Sequence, residues 1–313
     1  MDVEYVLDAS ENLVKLEDAE KHLHGGRASK VIVVGDTVDI PIIFYPINYQ
    51  NYQRGRTIVS TGSPDALAFA TLLYLLENEF GIIEGLTTIL TGYMPRQNIV
   101  DGHNKDAWRL GRAAGQSIIP FSLKNVLYTI SQAMPEVARK IGLMGCSVPV
   151  DSGSVIDFTC YLARKFDNTD ELVKVLQNCN SLKALEAVHL KCQPGWLLSQ
   201  WCPEVMDLPK SDLPKSEFAI NIVSSHPSDS PDGTNECPKC EIPSAEKELN
   251  TTEVPHLLSE ALSMTHSKVV DFWQTEDELC VGADVKSANC TIVLDVHSCF
   301  SLQSGSLIKL VAW

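Results

Sequence analysis

The chain has 313 residues, 44% of them hydrophobic, and a formal net charge of −15. It is long enough for two domains, or for one large domain with an insertion, and apolar enough to bury a core along most of its length. So acidic a surface repels nucleic-acid backbones and anionic lipid headgroups, and neither is expected as a direct partner. No apolar run is long enough to span a bilayer, and the start, MDVEYVLDASENL, lacks the basic–apolar pattern of a signal peptide. The expected location is therefore the cytoplasm. Ten cysteines in such a chain read as thiols rather than as a disulfide framework.

In chain order, residues 3–8 (VEYVLD) read as a short strand and 14–23 as a helix ended by Gly25-Gly26. KVIVVGD, residues 30–36, is a continuous apolar run, which suits a parallel strand buried on both faces. PIIFYPIN and RTIVS read as two more strands. IVSTGSPDALAF then runs from a strand end through a polar turn into a helix, 65–79, that is apolar almost all round and should be buried. A strand–turn–helix elbow of this kind is a common seat for a nucleophile, because the helix start stabilises an anion. IEGLTTILTG reads as a strand, followed by a Gly/polar loop, MPRQNIVDGHNKDAWRLGRAAGQ. Residues 122–139 read as a helix, MGCSVPV and SVIDFTCYLARK as strands, and Asp170–Leu176 as the start of a helix. In SVIDFTCYL the set Ile156, Phe158, Cys160 and Leu162 alternates with a more polar set, as a half-buried strand requires. Strands alternating with helices suggest an α/β sheet.

From 203 to 257 proline, serine, aspartate and lysine dominate, with a five-residue unit repeated as LPKSD and LPKSE. Such a segment cannot bury enough apolar surface to offset its ordering entropy, and is expected to be a disordered acidic, proline-rich insertion. Order returns near LLSEALSM, and ELCVGADV, CTIVLDV and SLIKLVAW read as three final strands. Cys237 and Cys240 form a CxxC, but one pair supplies only two of four zinc ligands. Cys192, Cys202, His189 and His226 lie at irregular spacing, so no metal site is expected. Cys146, Cys160, Cys179, Cys280, Cys290 and Cys299 fall mostly within apolar runs, where cysteine is an inert small hydrophobe.

Taken in order, VEYVLDASENLVKLEDAEKHLHGGRASKVIVVGDTVDIP, FGIIEGLTT, VDG, WRLGRAAGQSIIP, VPVDSGSVIDFTCYLAR and VHSCFSLQSGSLIKLVAW resemble glyceraldehyde-3-phosphate dehydrogenase, across nearly the whole chain outside the insertion. The resemblance implies an α/β plus α+β architecture. A partial Rossmann-type nucleotide domain, residues 1–63, would join a catalytic-type domain with an antiparallel sheet and flanking helices, residues 64–180 and 279–313.

The resemblance also assigns site positions. In the family the elbow reads Ser-Ala-Ser-Cys-Thr-Thr-Asn, and the cysteine thiolate attacks the aldehyde. Aligned without a gap, Pro64 stands at the cysteine and Asp65 at the next threonine. Proline has neither a nucleophile nor a backbone N–H. The family's general-base histidine falls at Thr91, which cannot accept a proton near neutral pH. One phosphate-contacting threonine falls at Met94, and the Ser-Thr-Gly anion loop reads Ser122-Leu123-Lys124. Arg112 matches the phosphate-binding arginine and is an anion-binding remnant; with Arg109 it either holds a residual anion site or pairs with acidic neighbours. The adenosine-contacting Ser-Thr-Gly reads Ala9-Ser10-Glu11, so Ser10 and Glu11 are degenerate cofactor positions. Together with the lack of the family's glycine-rich turn, this leads to the expectation of no NAD binding. The chain ends before the family's Tyr-Asp-Asn-Glu segment. A truncated gene model and a short protein both explain these ends, and the internal replacements at Pro64 and Thr91 depend on neither. His297 matches a family histidine and reads as structural. Asp101, Gly102 and Trp108 read as loop-fixing residues.

Three functions are in play. The first is a catalytically inactive family member that self-associates, or associates with an active paralogue, through the loop leading into WRLGR, which in the family helps form subunit contacts. The second is an NAD-dependent oxidoreductase with some activity. The third is a scaffold centred on the insertion.

Overall fold

A computed structural model of the chain describes residues 3–10, 14–45, 47–53, 55–93, 97–105, 107–191, 268–273, 290–302 and 305–313. The insertion at 203–257, the run ELCVGADV, and Glu11, Met94, Cys192, Cys202, His226, Cys237, Cys240 and Cys280 lie outside the described residues, as does the side chain of His189.

The described residues form two sheets. Strands β1 (Tyr5–Asp8), β2 (Lys30–Val33) and β3 (Ile58–Ser60) pair in parallel, with β2 at the centre. Val31, Ile32 and Val33 are all buried, as their unbroken apolar run requires of a central parallel strand. Helix α1 (Leu16–His24) buries Ala19 against this sheet with Val14, Val31, Val33 and Ile58.

The second sheet has eight strands: β4 (Ile82–Thr91), β5 (Ile119–Phe121), β6 (Ile141–Ser147), β7 (Ser154–Leu162), β8 (Lys268–Trp273), β9 (Cys290–Asp295), β10 (Phe300–Ser301) and β11 (Leu307–Ala312). Their order is β5-β6-β4-β7-β11-β9-β8, with β10 paired to β11. The sheet is mixed: β4–β6 and β8–β9 are parallel and the other pairings antiparallel. Ile156, Phe158, Cys160 and Leu162 of β7 are buried, and Tyr161 between them is exposed. Helix α2 (Pro64–Glu79) lies in the main core, burying Phe69, Leu72, Leu73, Leu75 and Leu76, each contributing about 1.5–3 kcal/mol. Phe69 meets Phe158 edge-on at 5.2 Å, which ties helix to sheet. Helices α3 (Lys124–Ala133), α4 (Pro135–Ala138), α5 (Thr169–Asn178) and α6 (Asn180–Lys191) complete the set.

Three sequence expectations fail. PIIFYPIN is not a strand: the Asn48 amide accepts from Phe44 N at 2.6 Å and donates to Ile42 O at 3.2 Å, folding the run into a turn, and Ile42 alone bridges to Ser60. The helix over 122–139 is two helices. Met134 stands before Pro135 at φ −136°, ψ 70°, because a proline ring excludes helical backbone from its predecessor. MGCSVPV is displaced, the strand running from Ile141 to Ser147. Helix α6 has no counterpart in the sequence reading.

Candidate functional site

The elbow joins β3 to α2 through Thr61, Gly62 and Ser63. Gly62 has φ +70°, and a Cβ there would lie 2.6 Å from Phe44 Cε1, so the turn requires glycine both conformationally and sterically. The polar groups of the turn are satisfied internally. Ser60 Oγ donates to Gly35 O at 2.7 Å and accepts from Gly62 N at 3.0 Å; Thr61 N donates to Val33 O at 2.9 Å.

At the helix start, Ser63 is the N-cap and its Oγ accepts from Ala66 N at 3.3 Å. Ser63 N donates to Asp36 Oδ1 at 3.3 Å. Pro64 occupies the first helical position, where its missing N–H costs nothing and its fixed φ suits the helix. Asp65 follows, partly buried. Its carboxyl is pushed above the ordinary carboxylate range by loss of solvent, and further by the Asp36 charge, while the Ser154 hydroxyl pulls it the other way. The positive end of the helix thus faces two acids of the same chain, Asp36 and Asp65.

Thr91 ends β4. It pairs across the sheet with Ser147 on one side and Ser154 on the other, and its carbonyl accepts from Val148 N at 2.9 Å. Ser154 Oγ lies 3.2 Å from Thr91 Oγ1 and also faces the Asp65 carboxyl. The structure therefore brings Pro64–Asp65 and Thr91 to one place, with Ser154 between them. Sequence reasoning passed over Ser154 and Asp36. Their signal lies in strand register: Ser154 opens β7 opposite Thr91, and Asp36 follows β2 beside the elbow.

The remaining predicted positions sit elsewhere or are already engaged. Arg112 is 64% exposed and its Nη1 pairs with Asp101 Oδ2 at 3.3 Å, while Arg109 Nη1 donates to Pro120 O at 3.2 Å. Asp101 also accepts from Ala113 N at 2.9 Å, and Gly102 N donates to Gly111 O at 2.9 Å, so both fix the loop. Trp108 does not: it is 87% exposed. Leu123 is buried before α3 and offers that helix no capping oxygen. Ser10 N donates to the Asp8 carboxylate at 3.1 Å. His297 is exposed on a single turn of 3-10 helix, Val296–Ser298. Cys146, Cys160, Cys179, Cys290 and Cys299 are buried and outside any disulfide, and burial pushes Cys160 and Cys299 up to about 12. Among the described residues no group of three or more His, Cys, Asp or Glu side chains could hold a metal ion, and no helix is long and apolar enough to cross a membrane.

Chemically, the elbow holds hydroxyls and carboxyls. Neither Pro64 nor Thr91 can act as thiolate or imidazole, and a hydroxyl beside a carboxyl is a poor nucleophile near neutral pH.

A three-stranded parallel sheet leading through an elbow into a helix-backed mixed sheet defines a two-sheet α/β protein. Residues 65–193 match the profile of the glyceraldehyde 3-phosphate dehydrogenase C-terminal domain. The chain is 32% identical over 207 residues to glyceraldehyde-3-phosphate dehydrogenase of Echinococcus multilocularis, covering 65% of this chain and 61% of that protein. It is 35% identical over 161 residues to glyceraldehyde-3-phosphate dehydrogenase B of Aspergillus oryzae, covering 51% and 47%, and 36% identical over 161 residues to the testis-specific enzyme of Rattus norvegicus, covering 51% and 37%. The chain spans about half the length of the curated relatives it matches. Its residues 65–193 carry, in divergent form, the C-terminal domain of the glyceraldehyde-3-phosphate dehydrogenase family.

Proposed function

We propose that this protein is a catalytically inactive family member, cytoplasmic, that works by association rather than by turnover. The observation that carries the reading is the elbow: proline at the first position of α2, followed by Asp65, and Thr91 bonded to the Ser154 hydroxyl, where the family places a thiolate and its base. An anionic substrate or a developing oxyanion would meet two carboxyls there, Asp36 and Asp65, which oppose it. Arg112 would have to leave Asp101 before it could bind a phosphate. NAD is not expected to bind, since Ser10 and Glu11 stand where the family contacts adenosine. The partner is a second copy of this chain or an active paralogue. The loop that bears subunit contacts in the family here presents Ile99, Val100 and Trp108 to solvent.

Two measurements on the full chain test this. An absorbance assay with glyceraldehyde 3-phosphate, phosphate and NAD is expected to stay at the buffer blank, and NADH production would reinstate the second reading, an NAD-dependent oxidoreductase. Light scattering behind size exclusion is expected to give a multiple of the 34.4 kDa chain mass, alone or with a dehydrogenase subunit. A strict monomer that retains no paralogue would remove the association.

A further inference from the structure

We infer that residues 36–44 form a clasp that joins the two sheets into one cooperative unit, so that the small parallel sheet does not open as a domain of its own. The run IIF within it looks like a strand, yet beyond the bridge from Ile42 to Ser60 it belongs to neither sheet. Its side chains are divided between the two bodies instead. Ile40 is buried with Ala19, Val31 and Val33 on one face of the small sheet, and Ile43 with Ile32 and Val59 on the other. Ile42 and Phe44 are buried in the main core with α2. Successive side chains of an extended chain point to opposite sides, so one short run can serve both bodies.

Polar contacts tie the same residues to four elements. On the side of the main core, the Asp36 carboxylate accepts from Ser63 N, at the start of α2, at 3.3 Å. The Val38 carbonyl accepts from Tyr128 OH of α3 at 3.2 Å. On the side of the small sheet, both carboxylate oxygens of Asp39 lie 3.1 Å from Leu16 N, the first amide of α1, a helix whose own N-cap residue, Lys15, gives it no side-chain cap. Pro41 O accepts from Ser60 N at 2.9 Å, and Ile43 N donates to Ser60 O at 2.8 Å, which holds the segment beside β3. Between these anchors Thr37 Oγ1 donates to Ile40 O at 3.0 Å and accepts from Ile40 N at 3.3 Å, bracing the turn.

Size gives the clasp its consequence. A three-stranded sheet with one helix buries little apolar surface, and a unit of about 60 residues is marginal alone. The main core is far larger, and Phe44 is fully buried in it against Gly62 of the elbow. The small sheet cannot open by itself without drawing Ile42 and Phe44 from the main core or breaking the contacts of Asp39, Ile40 and Ile43. The elbow at residues 61–63 is thus a fixed joint and not a hinge, and a partner that binds the small sheet stabilises the main one as well. The clasp is a property of the single chain and stands apart from the inactivity and association proposed above.

Hydrogen exchange on the full chain tests it. In the parent, the slowest amides of β2 and β7 are expected to share one opening reaction, their protection falling with added urea along one line. Val31→Ala is then made in the small sheet, whose cluster alone contains Val31. It is expected to lower protection in β7 by the same factor as in β2, roughly tenfold or more. A loss confined to β2 would overturn the clasp. With Phe44→Leu added, the anchor in the main core is weakened, and Val31→Ala is expected to reach β7 with a smaller factor than before. An undiminished factor would take the coupling away from residues 36–44. Should Val31→Ala or the double variant fail to fold, the parent decides: separate urea lines for β2 and β7 would refute the single unit.

Discussion

At Gly62 two independent constraints fall on one residue. Its φ of +70° disfavours any side chain, and the Cβ of an alanine would press on the Phe44 ring and on Thr129 Cγ2, 3.1 Å away. The ring is fully buried and cannot give way without disturbing the main core. Gly62→Ala is therefore expected to destabilise the protein by roughly 1–3 kcal/mol, read as a lower urea midpoint with an unchanged slope. The glycine was visible in the sequence, but the reason for it was not, because Phe44 reaches the elbow from the segment before β3 and Thr129 from α3, both distant in the chain. The same limit explains Ser154 and Asp36. A resemblance carries over positions whose chemistry is known, so it led to Pro64 and Thr91. The residues that now occupy the space between them are set by strand register, which a single chain does not display. Trp108 shows the converse error. An aromatic residue in a loop reads as an anchor, yet here it stands in solvent with Leu110 buried in its place.

Elements were legible where one local rule governed them. The apolar run of β2, the all-round apolar character of α2 and the alternation of β7 each have a single physical cause, and each forms as expected. Elements failed where a side chain overrode the pattern. The Asn48 amide supplies the hydrogen bonds that a strand neighbour would have given to PIIFYPIN. Pro135 splits one apolar stretch into two helices. The start of α5 shows a cap whose strength can be measured. Asn168 accepts from Glu171 N at 2.9 Å, and Glu171 Oε2 accepts from Asp167 N at 2.7 Å, so two amides at the helix start are satisfied reciprocally. Asn168→Ala is expected to cost about 1 kcal/mol, and Asn168→Ser or Asp much less. A chemical denaturation series over the three variants reads the difference. Equal losses for alanine and serine would mean that the amide packs rather than caps.

For the whole molecule, the proposed association has to overcome a charge of −15 on each chain. Two copies with a large charge of the same sign repel over a distance set by the ionic strength, about 10 Å at 0.1 M salt. The proposed association would then rest on apolar area, and added salt is expected to strengthen it by screening the repulsion. The exposed apolar residues of the loop between β4 and β5 supply such area: Ile99 and Trp108 are each 87% exposed and Val100 is 72% exposed. The described part of this loop is hydrogen-bonded across itself. Asn98 N donates to Leu110 O, Ala114 N to Asn98 O and Gly102 N to Gly111 O, so the apolar side chains are held out by a cross-braced backbone rather than by a free coil. A preorganised surface loses less entropy on binding, and tryptophan is the side chain whose burial most often dominates an interface. Because Trp108 is so exposed, replacing it should leave folding intact. Trp108→Glu is therefore expected to keep the melting temperature of the parent within about a degree, surface changes being worth under about 0.5 kcal/mol. The same variant is expected to shift the light-scattering mass toward the monomer at 0.1 M salt, more so than at 0.5 M. A variant that associates as the parent does, with the same salt dependence, would move the contact away from this loop and onto the sheet face that exposes Leu86, Met144 and Tyr161.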